Sequence, residues 1–341
     1  MPAARWLALA ITLTVAWLAV AAIRRVARTT ATGRAFFAPG ANGPARWGLL
    51  ILATVAALAV AAPLVAPYAP SAHLDIVGLQ NRPPSFAHPL GTDLYSRDVW
   101  SRLLYGARVS LAVGALGMVV AVTVGTAVGA AAGYWRGAVD TVLMRVVDVG
   151  LSVPRIFVLL VLAGLWERMP LGVLVLAIGL TSWFGTSRLV RAEVLTTRER
   201  EFVHAARALG AGTGRIVLRH VLPNAAGPIF VTAALGTGVV MLLESGLSFL
   251  GIGVAPPLPS WGNMIADAKD AVRAAPWSVL APGLAIGLVV TACAAVADGL
   301  RDALDPRRAR RAFEPLAPFP GSWDLSSPMP AHSRDAPGSR A

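Results

Sequence analysis

Few side chains in this sequence combine the type and spacing that covalent chemistry needs. His73 and His88 belong to no H-E-x-x-H pattern and to no close His/Asp/Glu set that would hold a metal. His204 and His220 flank a polar stretch; they could sense pH, but read first as solvated histidines. Serine and histidine nowhere form a recognisable pairing of nucleophile and base, which leaves no basis for a membrane-embedded hydrolase. The only lysine, Lys269, is followed by Asp270, so a G-x-x-x-x-G-K-[ST] phosphate loop is impossible and this chain does not itself hydrolyse ATP. The only cysteine, Cys293, lies in an apolar run, excluding an intrachain disulfide and a Cys-x-x-Cys metal cluster. What remains is charge in apolar surroundings. Arg145 and Asp148 lie three apart on one helical face and can pair, as a structural tie or as part of a gate. Glu244 stands beside Ser245 and Ser248, where an external helix end or a partner chain could satisfy it. Such a charge at mid-membrane costs roughly 2.5–3.5 kcal/mol unless it is partnered.

The elements that must position these residues follow from hydropathy. The 341 residues are 56% hydrophobic and only 14% charged, with a mean hydropathy of +0.64, outside the balance of a soluble domain. A bilayer core takes about 20 apolar helical residues. That ruler predicts seven membrane helices, at 6–23, 47–65, 110–134, 142–165, 171–184, 225–251 and 279–296, the fifth being short.

Basic residues outnumber acidic ones 30 to 18. Their distribution reads as topology rather than as nucleic-acid binding, because short cytoplasmic loops retain Lys and Arg. Residues 24–46, the turn at Arg136, residues 185–224 and the C-terminal tail hold 5, 1, 7 and 7, whereas the alternate segments hold 8 in all. The first set is therefore predicted to be cytoplasmic, with the N-terminus outside. The first apolar segment could be a signal peptide by position. Only Arg5 precedes it, however, Arg24, Arg25 and Arg28 follow, and no clean cleavage site leads into a soluble domain, so it is read as an additional membrane helix. In the external loop, Asp93, Arg97, Asp98 and Arg102 fall at near-helical spacing and predict a surface helix leading into the third span. The tail after Asp305 is rich in Pro, Arg, Ser and Gly and is predicted to be disordered.

Between the fifth and sixth spans, residues 185–224 form a loop far longer than a connection requires. Phe202, Ala205, Ala206 and Leu209 fall at i, i+3, i+4 and i+7, giving one apolar face, while Arg200, Glu201 and Arg207 stay in water. Gly210 is predicted to stop this helix, with Gly210, Gly212 and Gly214 turning the chain. Thr213 is the predicted N-cap of a second short helix that runs from about Arg215 until Pro223 ends it. A short amphipathic helix carrying alanines suits a groove on another protein; the competing reading is a helix lying on lipid.

Spacing separates these two readings. Ala205, Ala206, Gly210, Leu222 and Pro223 match a signature of the integral membrane subunits of bacterial ABC importers, namely EAA, three residues, Gly, nine residues, I-x-L-P. His204 replaces the first Glu and His220 the Ile, with Glu201 as the nearby carboxylate, and the ending RHVLPN looks like the peptide-importer branch. The stretch HPLGTDLYSRDVWSRLLYGARVSLAVG (88–114) resembles the second permease subunit of dipeptide, oligopeptide and nickel importers, although Leu94-Tyr95 departs from it. So do LMRVVDVGLSVP (143–154), ESGLSFLGIG (244–253), PSWGNM (259–264) and GLRDALDPR (299–307); together these motifs span most of residues 88–307.

The resemblance implies an all-α integral membrane protein with a six-helix type I ABC importer permease core, to which the N-terminal helix is extra. Residues 1–46 would form that helix and a basic linker, 47–107 the first core helix and external loop, 108–300 the permease domain with its coupling loop at 185–224, and 301–341 the tail. It further implies a bacterial inner-membrane assembly with a second homologous permease, two ATP-binding subunits that hold ATP and Mg, and an external substrate-binding protein, with no cofactor in this chain. Short peptides are the expected cargo, with nickel or other small solutes as alternatives. The competing class, an ion-gradient-driven secondary transporter, needs ionisable or broken-helix sites near mid-membrane, and the sequence offers few.

Overall fold

The computed structural model describes residues 2–27, 36, 43–75 and 77–304, so the predicted disordered tail lies outside the described residues. Its elements are α1 (Pro2–Ala27), α2 (Gly43–Val60), α3 (Ala62–Val65), α4 (Val99–Trp135), α5 (Gly137–Ser152), α6 (Arg155–Ala163), α7 (Leu171–Thr197), α8 (Glu201–Ala208), α9 (Thr213–Ile216), α10 (Leu222–Phe249), α11 (Trp261–Ala268) and α12 (Trp277–Leu304). Among the described residues the remainder is a π-helical turn (Val217–Val221), a 3-10 turn (Lys269–Ala271) and loop, with one isolated bridge between Thr92 and Asp98 and no strand.

Among the described residues five helical stretches are long and apolar enough to cross a membrane: α2, α4, α7, the rod from Thr213 to Phe249, and α12. The pair α5 and α6, bent by 79°, makes a sixth. These correspond to six of the seven predicted spans; the first, in α1, has a shorter apolar stretch, Ala8–Ala22. The 142–165 span is therefore broken rather than continuous. Pro154 has no N–H to give the preceding turn, and Val153 before it is extended at φ −97° and ψ 125°.

Two helices outrun their hydropathy. Helix α4 begins at Val99 rather than at 110, because the Asp98 side chain accepts a hydrogen bond from the Ser101 backbone N–H at 2.8 Å and caps it there. Helix α7 continues past Phe184 to Thr197, and packing explains why: Gly125, Gly129 and Gly133 of α4 form a stripe against its Thr186, Ser187, Val190 and Val194. A Cβ at Gly129 would lie 2.4 Å from the Ser187 carbonyl oxygen, so only glycine lets the two backbones come this close.

The apolar interior falls into three main clusters. Val113, Ile178, Leu174, Val240 and Leu159 join α4, α7, α10 and α6 at the centre. Trp261, Met241, Val289 and Ala59 join α11, α10, α12 and α2. Val190, Val194, Val203, Ile216 and Val221 tie α8 and α9 to α7.

Candidate functional site

Helix α8 is short, and it is built to stop. Leu209 closes it, and Gly210 follows at φ +79°, a left-handed conformation that favours glycine. The Gly210 N–H donates to the Arg207 carbonyl at 3.0 Å and the Ala211 N–H to the Ala206 carbonyl at 3.1 Å, the two bonds of a Schellman motif. One residue anchors the helix: Val203 is fully buried against the bundle. The predicted apolar face points elsewhere. Phe202 and Leu209 are 39% and 88% exposed, Ala205 is exposed and Ala206 half-buried. Sequence periodicity found the outward face and missed Val203, an isolated apolar residue off that stripe. Glu201 is exposed in the first turn, and exposed His204 lies 3.8 Å from Glu199.

The second half of the loop differs from its prediction. Gly212, not Thr213, occupies the N-cap position of α9. Pro223 does not end a helix. A π-helical turn, Val217–Val221, connects α9 to α10 without a break, and Pro223 sits in the first turn of α10. His220 and Leu222 are half-buried and Pro223 is exposed. The 185–224 loop thus runs directly into a long apolar helix instead of breaking before it.

Ion pairs brace this end of the bundle. The Arg191 guanidinium donates twice to Asp140, at 2.5 and 2.6 Å, linking α7 to α5. Arg136 meets Glu199 at 2.8 Å, and Arg198 donates to the Tyr134 carbonyl. Asp148 pairs with Arg188 across to α7, not with Arg145 as predicted; Arg145 is exposed. Hydropathy had ended α7 before Arg188, which hid this partner.

Residues 125–310 match the family model for the binding-protein-dependent transport system inner membrane component. The chain is 40% identical over 261 residues to the dipeptide transport system permease protein DppC of Alkalihalophilus pseudofirmus, covering 76% of this chain and 84% of that protein. It is 41% identical over 273 residues to a Brucella suis protein named as a peptide permease, covering 78% and 88%. A second Brucella suis protein, named as a peptide transport system permease, is 40% identical over 264 residues, covering 77% and 87%. This chain belongs to the family of binding-protein-dependent transport system inner membrane components.

In this inner membrane component three of the motifs that carried the resemblance, 88–114, 244–253 and 259–264, meet at the end opposite α8. Glu244 is fully buried and accepts hydrogen bonds from the Ser248 hydroxyl at 2.7 Å and the Ser110 hydroxyl at 3.2 Å, with the Ser245 hydroxyl at 3.4 Å. Its partners are hydroxyls of its own chain, and Ser260, the N-cap of the external helix α11, is among them. The Ser110 oxygen also accepts from the Trp261 backbone N–H at 3.1 Å, so α4, α10 and α11 share one polar junction.

The predicted surface helix over Asp93, Arg97, Asp98 and Arg102 is absent; that stretch is loop up to Asp98, and its charges turn inward. Asp93 and Asp267 each accept from both Arg97 and Arg102, at 2.7–2.9 Å, with Asp93 and Arg102 buried. His88 is buried, stacked on Tyr68, with Nδ1 2.9 Å from Asp98. His73 lies 3.0 Å from the Tyr95 carbonyl oxygen. No group of three His, Cys, Asp or Glu side chains among the described residues is placed to hold a metal.

One interior charge escaped the sequence reading. Arg155 opens α6 at the break after Pro154 and donates to the Ser182 hydroxyl at 3.0 Å beside a cavity of about 280 Å³. Its signal was available: an arginine inside a predicted span, directly after a proline.

Proposed function

We propose that this chain forms half of the translocation pathway of an ATP-driven importer for short peptides, with α8 docking on a separate ATP-binding subunit. The observation that carries the proposal is an apolar face on α8 left in solvent while the same helix is anchored from behind by Val203. A soluble domain would fold such a face inward; a helix meant for a groove keeps it outside. The membrane-component family and the peptide-transport names of the relatives agree with this reading.

In this mechanism the α8 end faces the cytoplasm, two ATPase subunits bind ATP and Mg below, and a second homologous permease completes the pathway. An external binding protein delivers cargo at the opposite end. Closure of the ATPases displaces α8, and Val203, Ile216 and Val221 pass that displacement to Val190 and Val194 of α7, which lies flush on α4. The α9–α10 rod moves with it because no break intervenes. Such levers tilt packed helices between discrete states rather than bending them.

The test is gentle detergent extraction of the tagged chain, followed by mass spectrometry of what co-purifies. Recovery of a second permease and Walker-containing ATPases supports the proposal. A self-assembly without ATPase, under conditions that preserve comparable complexes, overturns it in favour of a gradient-driven carrier. A reporter fused after Ala341 should behave as cytoplasmic; an externally active reporter reverses the orientation.

A further inference from the structure

The α8 end of the bundle carries a second feature that the transport reading does not use. Helix α1 ends in Arg24 and Arg25, and α2 begins with Arg46 in its first turn. The three arginines converge on a cavity of about 640 Å³ whose walls also include Trp17, Trp47 and Leu50. None of the three is ion-paired among the described residues, and the Arg24 Nε is buried without a hydrogen-bond partner. The local chain cannot supply a counter-charge, because residues 1–74 contain no Asp or Glu. Arg46 also sits at the positive end of the α2 dipole, which adds to the unbalanced charge instead of offsetting it.

The place of the cavity in the fold restricts what can fill it. Ala45 of α2 packs against Gly299 near the end of α12, and Leu304 of α12 reaches Gly227 near the start of α10, so the arginines lie at the end of the bundle that carries α8. They stand where membrane helices leave the apolar layer, at headgroup depth. Trp47, 67% exposed beside Arg46, has the amphipathic ring that settles at this level. Leu50, one turn deeper on α2, continues the wall with apolar surface.

We propose that this cavity binds the phosphodiester headgroup of an anionic phospholipid, with the phosphate among Arg24, Arg25 and Arg46 and the upper acyl chain along Trp47 and Leu50. Guanidinium groups match phosphate oxygens bidentately, and basic pockets between membrane helices are suited to anionic headgroups. The bound lipid would join α1 to α2 by charge neutralisation. The proposal rests on α1 being retained as a membrane helix, and the test reports on that separately.

The experiment is native mass spectrometry of the full chain in mild detergent, titrated with phosphatidylglycerol, with phosphatidylcholine of the same acyl chains, and with inorganic phosphate. Wild type should retain phosphatidylglycerol at least about tenfold better than phosphatidylcholine, and R24Q/R46Q should lose that preference. R136Q, which removes a charge at the same end but outside the cavity, should keep it. Ala21→Trp, which fills the cavity from an exposed position without touching a charge, should reduce retention as well and serves if R24Q/R46Q fails to fold. Equal retention of the two lipids, or wild-type retention by both cavity variants, overturns the proposal. Inorganic phosphate displacing the lipid at equal concentration would also overturn it, identifying a free-anion site. The intact mass shows whether residues 1–27 are present; their absence would overturn the proposal together with the membrane reading of α1.

Discussion

The two ends of this bundle handle polar and apolar groups in opposite ways. At the loop end, Asp93, Arg97, Arg102 and Asp267 satisfy one another, His88 leans on Asp98, and Glu244 is enclosed by serine hydroxyls. The α8 end leaves Phe202 and Leu209 in water and spends its ion pairs on bracing α5 and α7 from the side. Charge buried with its partners holds a shape, whereas apolar surface left exposed on a braced helix awaits a partner. The difference teaches which end is finished by this chain alone.

The contrast can be broken or sharpened by substitution. Asp93→Ala should have the largest effect: it strands the buried Arg102 with only the half-exposed Asp267, at a cost of about 3–5 kcal/mol. A thermal melt of the detergent-purified chain measures it, and an unchanged midpoint would mean that the network is ornamental. Next come Gly210→Pro, which cannot adopt the φ of +79°, and Ala206→Trp, which crowds the proposed docking face. Each should reduce peptide uptake and ATPase recovery more than tenfold while membrane insertion stays intact; normal uptake by both would remove the docking role. Phe202→Ser with Leu209→Ser should alter stability by no more than about 0.5 kcal/mol, since both side chains are exposed, and still impair ATPase recovery. Unfolding of that variant would show the two ends to be alike after all. Smallest is Arg188→Ala, which removes a half-exposed pair with Asp148 worth about 0–1 kcal/mol, with Arg145→Ala as the silent comparison in the same melt.

Much of the architecture was legible because lipid imposes a simple rule. A helix that must hide its backbone from hydrocarbon needs a long apolar run, and such runs stand out in a chain with 14% charge. The helix α8, its stop at Gly210 and its outward face were equally legible, since 3.6-residue periodicity and the turn preference of glycine are local properties. Helix ends were not. Hydropathy closed α7 at Phe184, while its backbone continues to Thr197 because the glycine stripe of α4 gives it a surface to lie on.

Charge pairing was the least legible feature. Spacing along one helix suggested Arg145 with Asp148, and a helix through Asp93, Arg97 and Arg102; Asp148 instead meets Arg188, 40 residues along, and Arg97 pairs with Asp267, 170 residues along, as well as with the nearby Asp93. By itself the sequence determined where six of its seven predicted spans lie, where α8 stops, and which of its faces is apolar, because each depends on neighbours within a few turns. Only the tertiary structure decided that Glu244 meets Ser110, that Val203 anchors α8, and that three arginines share one cavity with no ion pair among the described residues. Those outcomes depend on which distant backbones pack closely enough to bring side chains within hydrogen-bonding or van der Waals reach, and no local pattern encodes that distance.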